Sequence, residues 1–168
     1  MALRKILTHP HPVLREQAAK ITGFNAELRQ LAKDMADTMY EEQGVGLAGN
    51  QIGIARQIAV IDISTQDNEK KYLVLINPVI SEGEGCESGK EGCLSVLEYD
   101  AKVERFKKIR VTGQDVEGKQ LDFIAEDRFA RIIQHEVDHL HGTLFIDRIS
   151  RLKQDMYKRK LKKLLENK

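Results

Sequence analysis

The stretch QHEVDHLHG, residues 134 to 142, constrains the fold more than any other part of this 168-residue chain. It places two histidines four residues apart, with a glutamate directly after the first. On an α-helix this spacing brings His135 and His139 onto one face, one turn apart, where both imidazoles can bind a single cation. Glu136 then lies close enough to exchange a proton with an attacking water. The alternative is a solvated helix whose histidines have no such role.

The residues around this motif predict a helix from about Asp127 to His141, ended by Gly142. At about 100° per residue, one apolar arc contains Phe129, Ile132, Ile133, Val137 and Leu140. Glu136 falls inside that arc, where a carboxylate without a partner is costly to bury. We therefore expect a central helix, with a group nearby that stabilises the charge of Glu136.

Two histidines do not complete a catalytic metal site, so a third protein ligand must come from elsewhere in the chain. The segment EGCLSV supplies a candidate, because the thiolate of Cys93 could enter the site from a neighbouring strand. Cys86 lies in a glycine-rich stretch without an apolar anchor, and we expect it to be a free surface thiol. The other histidines lack a partnered spacing and are expected at the surface or in turns: His9, His11 and His141.

Hydrophobic periodicity predicts the remaining elements. A first helix begins after the capping residue Asn25 and stops at Gly44, and short Val- and Ile-rich strands occupy residues 56–64 and 70–80. Residues 81–92 are expected to form an exposed, mobile loop, and residues 108–126 a hairpin that turns near Glu117 and Gly118. A basic helix follows at about 150–166. The pattern indicates an α+β fold, with antiparallel or mixed β-sheets around the central HExxH helix, in a single domain over residues 1–168.

Composition excludes several classes of protein. The chain has 27 basic and 26 acidic residues, so its formal charge of +1 gives no indication of specific DNA binding. No apolar run is long enough for a signal peptide or a membrane span. We expect a cytoplasmic monomer.

The segment QGVGLAGNQIG, from Gln43 to Gly53, combines glycines with small apolar residues. Glycine permits the backbone to approach another group closely. The segment lacks the lysine of a phosphate-binding loop. Two interpretations stay open: a tight structural turn, or a segment whose Gln51 offers its side-chain amide to a substrate oxygen.

Together, QGVGLAGNQIG, EGCLS and QHEVDHLHG resemble the peptide deformylases, and ILTHPHPVLR near the start is similar to the family's opening. The resemblance covers essentially the whole chain. It implies that the metal ligands are Cys93, His135 and His139. It further implies that Glu136 is the general acid and base, and that Gln51 and the Leu94 backbone N–H bind the developing oxyanion. The substrate would contact Gly44, Val45, Gly46, Arg128 and Ile132.

The implied reaction removes the formyl group from the N-terminal formylmethionine of nascent peptides. One divalent metal per chain is expected, with Fe(II) as the native ion and Zn, Ni or Co as possible substitutes for a site with a thiolate ligand. The basic C-terminal helix suggests docking to the ribosome, because similar helices in bacterial deformylases are associated with it.

The sequence departs from the family pattern in three places. Gly49 and Asn50 replace Ala and Pro in the first motif, which should loosen the strand bearing Gln51. Leu97 stands where proline is common and should alter the wall beside the substrate backbone. Arg128 and Phe129 replace small or aliphatic residues near the expected methionine pocket.

Two other functions remain as alternatives. A zincin-type endopeptidase shares HExxH but needs a His or Glu ligand downstream, and no convincing candidate follows in this sequence. A catalytically impaired, deformylase-like metal-binding protein is the other alternative, since the altered motifs could mark a family member that has lost activity.

Overall fold

The computed structural model of the protein describes residues 2–167. Within these residues the regular elements are β1 (Gly46–Ala48), β2 (Ile58–Asp62), β3 (Tyr72–Glu84), β4 (Glu87–Cys93), β5 (Val96–Arg105), β6 (Lys108–Gln114), β7 (Gln120–Glu126), α1 (Ala26–Glu41), α2 (Asp127–Leu140) and α3 (Arg151–Glu166). The strands form two antiparallel sheets, a larger one with the order β1-β2-β3-β6-β7 and a smaller one that pairs β4 with β5. The predicted α+β class with antiparallel sheets is therefore confirmed.

The first helix, α1, covers one end of the larger sheet. Its N-terminus is capped as predicted, because the Asn25 side chain accepts a hydrogen bond from the Leu28 N–H at 3.0 Å. The helix ends at Glu41 rather than at Gly44, and Gln43 already has a positive φ of 57°. Its buried apolar side chains pack on β1 and β2: Leu28, Leu31, Met35 and Met39.

The predicted loop at residues 81–92 is mostly strand, so that prediction is wrong. Strand β3 continues to Glu84, a turn with Gly85 at φ 70° follows, and β4 begins at Glu87. The expected exposure is nevertheless correct, since most of these side chains face solvent. A strand in a two-stranded, largely exposed sheet carries no alternating apolar pattern, and the sequence therefore gives it no strand signal.

The central helix, α2, lies between the two sheets as expected. Ala130, Ile133 and Val137 pack against buried residues of the larger sheet. On its other side, Gln134 donates to the Phe106 carbonyl at 2.9 Å and accepts from the Phe106 N–H at 3.0 Å. The hairpin of β6 and β7 leads into this helix and turns at Gly118, where φ is 83°, as predicted.

The third helix, α3, is amphipathic, and one of its residues enters the core. Tyr157 is 2% exposed, and its hydroxyl lies 2.9 Å from His9 Nδ1. It joins a core cluster against which Cys93 also packs. Most other α3 side chains are exposed, including Leu152 and Met156. Among residues 2–167, no helix is long and apolar enough to cross a membrane.

Candidate metal centre and active site

Three predicted ligands converge at one point. His139 Nε2 lies 3.3 Å from Cys93 Sγ and 3.3 Å from His135 Nε2, and the three ligand atoms lie within 4.8 Å of one another. The histidines lie one turn apart on α2, and Cys93 ends β4. Tetrahedral coordination with ordinary metal–nitrogen and metal–sulfur bonds separates such ligand atoms by about 3.4 to 3.6 Å. The donor set and its spacing therefore fit one divalent cation.

A buried carboxylate orients the first histidine. His135 Nδ1 donates to Glu91 Oε1 at 2.8 Å, which leaves Nε2 to face the other two ligands. Burial lowers the pKa of His135, but the contacts with Cys93 and Glu91 raise it well above its ordinary value. The same negative groups that favour a proton on this imidazole would favour a cation. His139 differs, because burial lowers its pKa and keeps the imidazole neutral, which is the form that binds a metal.

Glu91 itself is held by two arginines. Arg105 donates from Nε and Nη2 at 2.9 Å each, and Arg131 donates from Nη1 at 2.8 Å. Arg105 also contacts Asp138 at 2.6 Å, and Asp138 accepts from the exposed Arg148. Burial raises the pKa of Glu91, but the bonds from Arg105 and His135 outweigh it and lower the pKa to about 2. The carboxylate is thus charged over the whole working pH range.

Glu136 is positioned for proton transfer rather than for ligation. Its side chain is buried, and Oε1 has no hydrogen-bond partner among the described residues. Burial raises the pKa of its carboxyl to about 7. A group with such a pKa can both accept and return a proton near neutrality. Among the described residues no side chain bonds to Oε1, but the charges of His135 and Arg105 act to lower this pKa and so favour the carboxylate, as the sequence led us to expect of a nearby group.

A cavity of about 420 Å³ opens onto this cluster. Its lining contains every residue that the sequence proposed for substrate and oxyanion binding: Gly44, Val45, Gly46, Gln51, Leu94, Arg128 and Ile132. Cys93, His135 and Glu136 line it as well. Gln51 Nε2 donates to Ser95 Oγ at 3.1 Å and lies 3.6 Å from Cys93 Sγ. The Gln51 amide therefore stands beside the ligand cluster. A side chain at Gly46 would meet Glu136, with Cδ only 2.8 Å from the added Cβ.

The departures from the family motif act differently from our expectation. Gln51 lies on a short 3-10 helix, Gly49–Ile52, not on a strand. Asn50 is fully buried and donates to the Glu16 carbonyl at 2.9 Å, so it ties this segment to the N-terminal region rather than loosening it. Gly49 has no room for a side chain, because an added Cβ would lie 2.9 Å from the Arg56 carbonyl oxygen.

Two other expectations about the cavity wall are wrong. Leu97 is exposed in a separate groove beside the end of α3, with Leu161 and Leu164. Phe129 stacks on Phe123 at a ring-centroid distance of 5.8 Å and does not line the catalytic cavity. Arg128 does line it, on the first turn of α2.

The sequence reasoning missed the residues that support the ligands: Glu91, Ser95, Arg105, Arg131 and Asp138. One signal was present for the first of them. Residues two apart in a regular strand face the same side, which would have grouped Glu91 with Cys93, although the pairing of β4 with β5 is irregular between these two residues. No local pattern identifies Arg105 as the partner of Glu91, or Asp138 as the second partner of Arg105.

Comparison with known proteins agrees with this geometry. Residues 3–155 match the sequence model of the polypeptide deformylase family. The chain belongs to this family. The peptide deformylase of Desulfotalea psychrophila is 46% identical over 164 residues, which cover 97% of both chains. The crystal structure of a peptide deformylase from Legionella pneumophila has a TM-score of 0.89 and 40% identity, and covers 99% of both chains.

A third similar deformylase, from Acinetobacter baumannii, was solved with Met-Ala-Ser bound. Its TM-score is 0.83 at 31% identity, over 88% of this chain and 99% of that one. As a member of the peptide deformylase family, the chain is a hydrolase. The upstream thiolate in the ligand cluster also argues against the zincin-type alternative, which would need a downstream His or Glu.

Proposed function

We propose that this chain removes the N-formyl group from the N-terminal formylmethionine of newly synthesised polypeptides and releases formate. One observation carries this proposal: the Cys93, His135 and His139 cluster lies beside a buried Glu136 carboxylate, whose Oε1 has no hydrogen-bond partner within residues 2–167, in an open cavity. Membership of the peptide deformylase family supports it. Intact ligands, base and oxyanion donors argue against a catalytically impaired relative.

The residues divide the chemistry between them. Cys93, His135 and His139 would hold a divalent metal, which would supply Lewis acidity and lower the pKa of a nearby water toward about 7. Glu136 accepts a proton from the water that attacks the formyl carbon. The Gln51 amide and the Leu94 N–H donate to the oxygen that becomes negative, and one such donor contributes about 2.7 to 4 kcal/mol. Glu136 then protonates the amine as the carbon–nitrogen bond breaks, and formate leaves.

The methionine side chain is proposed to lie against Gly44, Val45, Gly46 and Ile132. These residues line the cavity next to the ligand cluster. Glycine suits this wall, because a side chain at Gly44 would come within 2.9 Å of Leu94 Cδ1. The Met-Ala-Ser bound to the Acinetobacter enzyme is consistent with a cavity that accepts an N-terminal methionine.

We propose Fe(II) as the native ion, with Zn, Ni or Co as substitutes. Each of these metals accepts a mixed thiolate and imidazole site. A thiolate beside ferrous iron should make activity sensitive to oxygen. Anaerobic purification followed by metal analysis tests this assignment. A purified protein that contains mainly another metal would contradict it.

The decisive experiment on function replaces the proposed base. Glu136→Ala should abolish formate release from formyl-Met peptides while about one metal per chain remains. Glu104→Ala is the control, because this exposed carboxylate lies outside the catalytic cavity. Retained activity in Glu136→Ala would exclude the proposed role, and loss of metal would make Glu136 a ligand.

We also propose that α3 docks the enzyme on the ribosome. Its exposed basic side chains are suited to salt-sensitive contacts with RNA phosphates: Arg151, Lys153, Lys158, Arg159, Lys160, Lys162 and Lys163. The amphipathic pattern alone predicts that deleting residues 151–168 spares peptide hydrolysis. The packing of Tyr157 in the cluster that Cys93 contacts argues that such a deletion would also disturb the core beside the ligands. We further propose that residues 1–168 form a single domain and that the protein acts as a cytoplasmic monomer.

Charge reversal on the exposed face of α3 separates docking from folding. Arg159→Glu with Lys163→Glu should weaken cosedimentation with ribosomes at low salt and leave formyl-Met peptide hydrolysis intact. Lys33→Glu on α1 is the control, since this exposed lysine lies far from α3 in sequence. Equal cosedimentation of all three proteins would show that α3 has no part in docking.

A further inference from the structure

The lining of the catalytic cavity includes a cationic side chain that forms no ion pair in the described part of the chain. Three basic residues line this cavity: Lys90, Arg128 and Arg131. Arg131 already has partners within the fold. It donates to the Glu91 carboxylate at 2.8 Å. It also donates to the backbone carbonyls of Val103 and Glu87, at 2.8 and 2.7 Å. Lys90 pairs with Asp100 across the small sheet at 3.6 Å. Within residues 2–167, Arg128 forms no ion pair and is exposed.

The acidic groups near the cavity already have partners. Glu91 bonds to Arg105, Arg131 and His135. Burial raises the pKa of Asp62, but its hydrogen bonds and the positive charge of Arg128 lower the pKa by more, so the pKa lies below its ordinary value. Those bonds come from Tyr40 and Ser64 at 2.8 and 2.6 Å, so the Asp62 carboxylate is already satisfied. The guanidinium of Arg128 is therefore available to a ligand in the cavity.

The distance along α2 gives the part of the substrate that Arg128 can reach. It lies seven residues (135 − 128) before the ligand His135, which corresponds to about 10 Å along the helix. An extended peptide advances about 3.4 Å per residue. The same cavity is lined by the ligands and by Arg128. A peptide whose formyl group lies at the ligands and which extends through this cavity along α2 therefore brings its second and third residues level with Arg128.

We propose that Arg128 is a specificity-determining residue that favours formyl-Met peptides with a carboxylate side chain at the second or third position. This inference rests on the proposed function, because it places the formyl group at the metal ligands. The interaction is solvent-exposed, and such pairs contribute little individually. Comparing an acidic with a basic peptide adds an attraction to a repulsion, so we expect about a three- to tenfold ratio of kcat/KM at low salt.

The test compares C-terminally amidated peptides, so that no terminal carboxylate competes. Formyl-Met-Asp-Ala and formyl-Met-Ala-Asp are set against the same peptides with Lys in place of Asp, with formate release as the readout. The acidic-to-basic ratio should fall to about one in Arg128→Leu, invert in Arg128→Glu, and shrink at high salt. Arg56→Leu is the matched control, because this exposed arginine lies outside the cavity.

Each outcome decides a separate point. A wild-type ratio near one, or a ratio that Arg128→Leu does not change at equal metal content, overturns this inference and leaves the proposed function standing. Formate release from none of the four peptides overturns the proposed function, and this inference with it. A ratio that Arg56→Leu lowers as much as Arg128→Leu would attribute the preference to net charge and would also overturn it.

Discussion

Replacing Glu91 with glutamine is expected to weaken both the fold and the metal site. The side chain of Glu91 is only 5% exposed and joins three elements of the structure. It accepts bonds from Arg105 on β5 and from Arg131 and His135 on α2. Glutamine keeps the shape but removes the charge, so the buried Arg105 would keep only Asp138 as an ionic partner.

The size of the effect follows from the pKa of Glu91. Burial raises this pKa, but the bonds from Arg105 and His135 lower it from 4.5 to about 2. The difference of about 2.5 pKa units corresponds to about 3 kcal/mol of folding free energy at pH 7. Breaking a buried ion pair by removing one partner costs about 3 to 5 kcal/mol, which agrees. For a chain of this length, about 3 kcal/mol lowers Tm by about 6 to 12 °C.

The assay is thermal unfolding of metal-loaded protein at pH 7, together with metal competition. Metal affinity should fall by about 10- to 100-fold, because Glu91 orients His135.

The stabilisation by a carboxylate with a lowered pKa is present above its unfolded pKa and is lost as pH falls through 4.5 toward 2. The Tm difference between wild type and Glu91→Gln should therefore shrink on acidification. Glu104→Gln is the control, and a Glu91→Gln protein with the same Tm and metal affinity as this control would refute the reasoning.

Two further predictions test other parts of the site. Cys93→Ser should lower metal content and activity together, because a serine hydroxyl is a poor substitute for thiolate, whereas the exposed Cys86→Ser should change neither; equal losses in both would mean that the ligand is wrongly assigned. Gly46→Ala should lower kcat with metal content retained, because the added Cβ would displace the Glu136 carboxylate. Unchanged kcat in Gly46→Ala would show that the Glu136 position can shift without cost.

The sequence predicted the elements that bury one apolar face or are capped by a neighbouring side chain, because both features produce a pattern within the element itself. The apolar arc of α2 and the Asn25 cap of α1 are such signals, and both helices lie where they were expected. Strand β4 was missed because its exposed side chains do not alternate with apolar ones. The short helix that bears Gln51 was missed for a different reason: its conformation depends on Asn50, whose buried amide bonds to the Glu16 carbonyl 34 residues away in sequence.

The catalytic residues were predictable, and their supports were not. HExxH and EGCLS place ligands and base by spacing or by family motif, so His135, Glu136 and Cys93 were found without a structure. Glu91 and Arg105 meet only because β4 and β5 are paired. An ion pair between residues 14 apart in sequence produces no periodic pattern that could predict it. Yet this pair fixes Glu91, which in turn orients His135.

The same network joins metal binding to folding. Cys93 ends the strand that carries Glu91, and Glu91 joins that strand to the helix that carries both histidines. The three ligands therefore approach one another only when the small sheet is docked on α2. Because an unfolded chain does not preform such a site, a bound cation stabilises the docked arrangement in proportion to its affinity. Arg105, which contacts no ligand directly, contributes to metal affinity by holding Glu91 and to stability by joining β5 to Asp138 on α2.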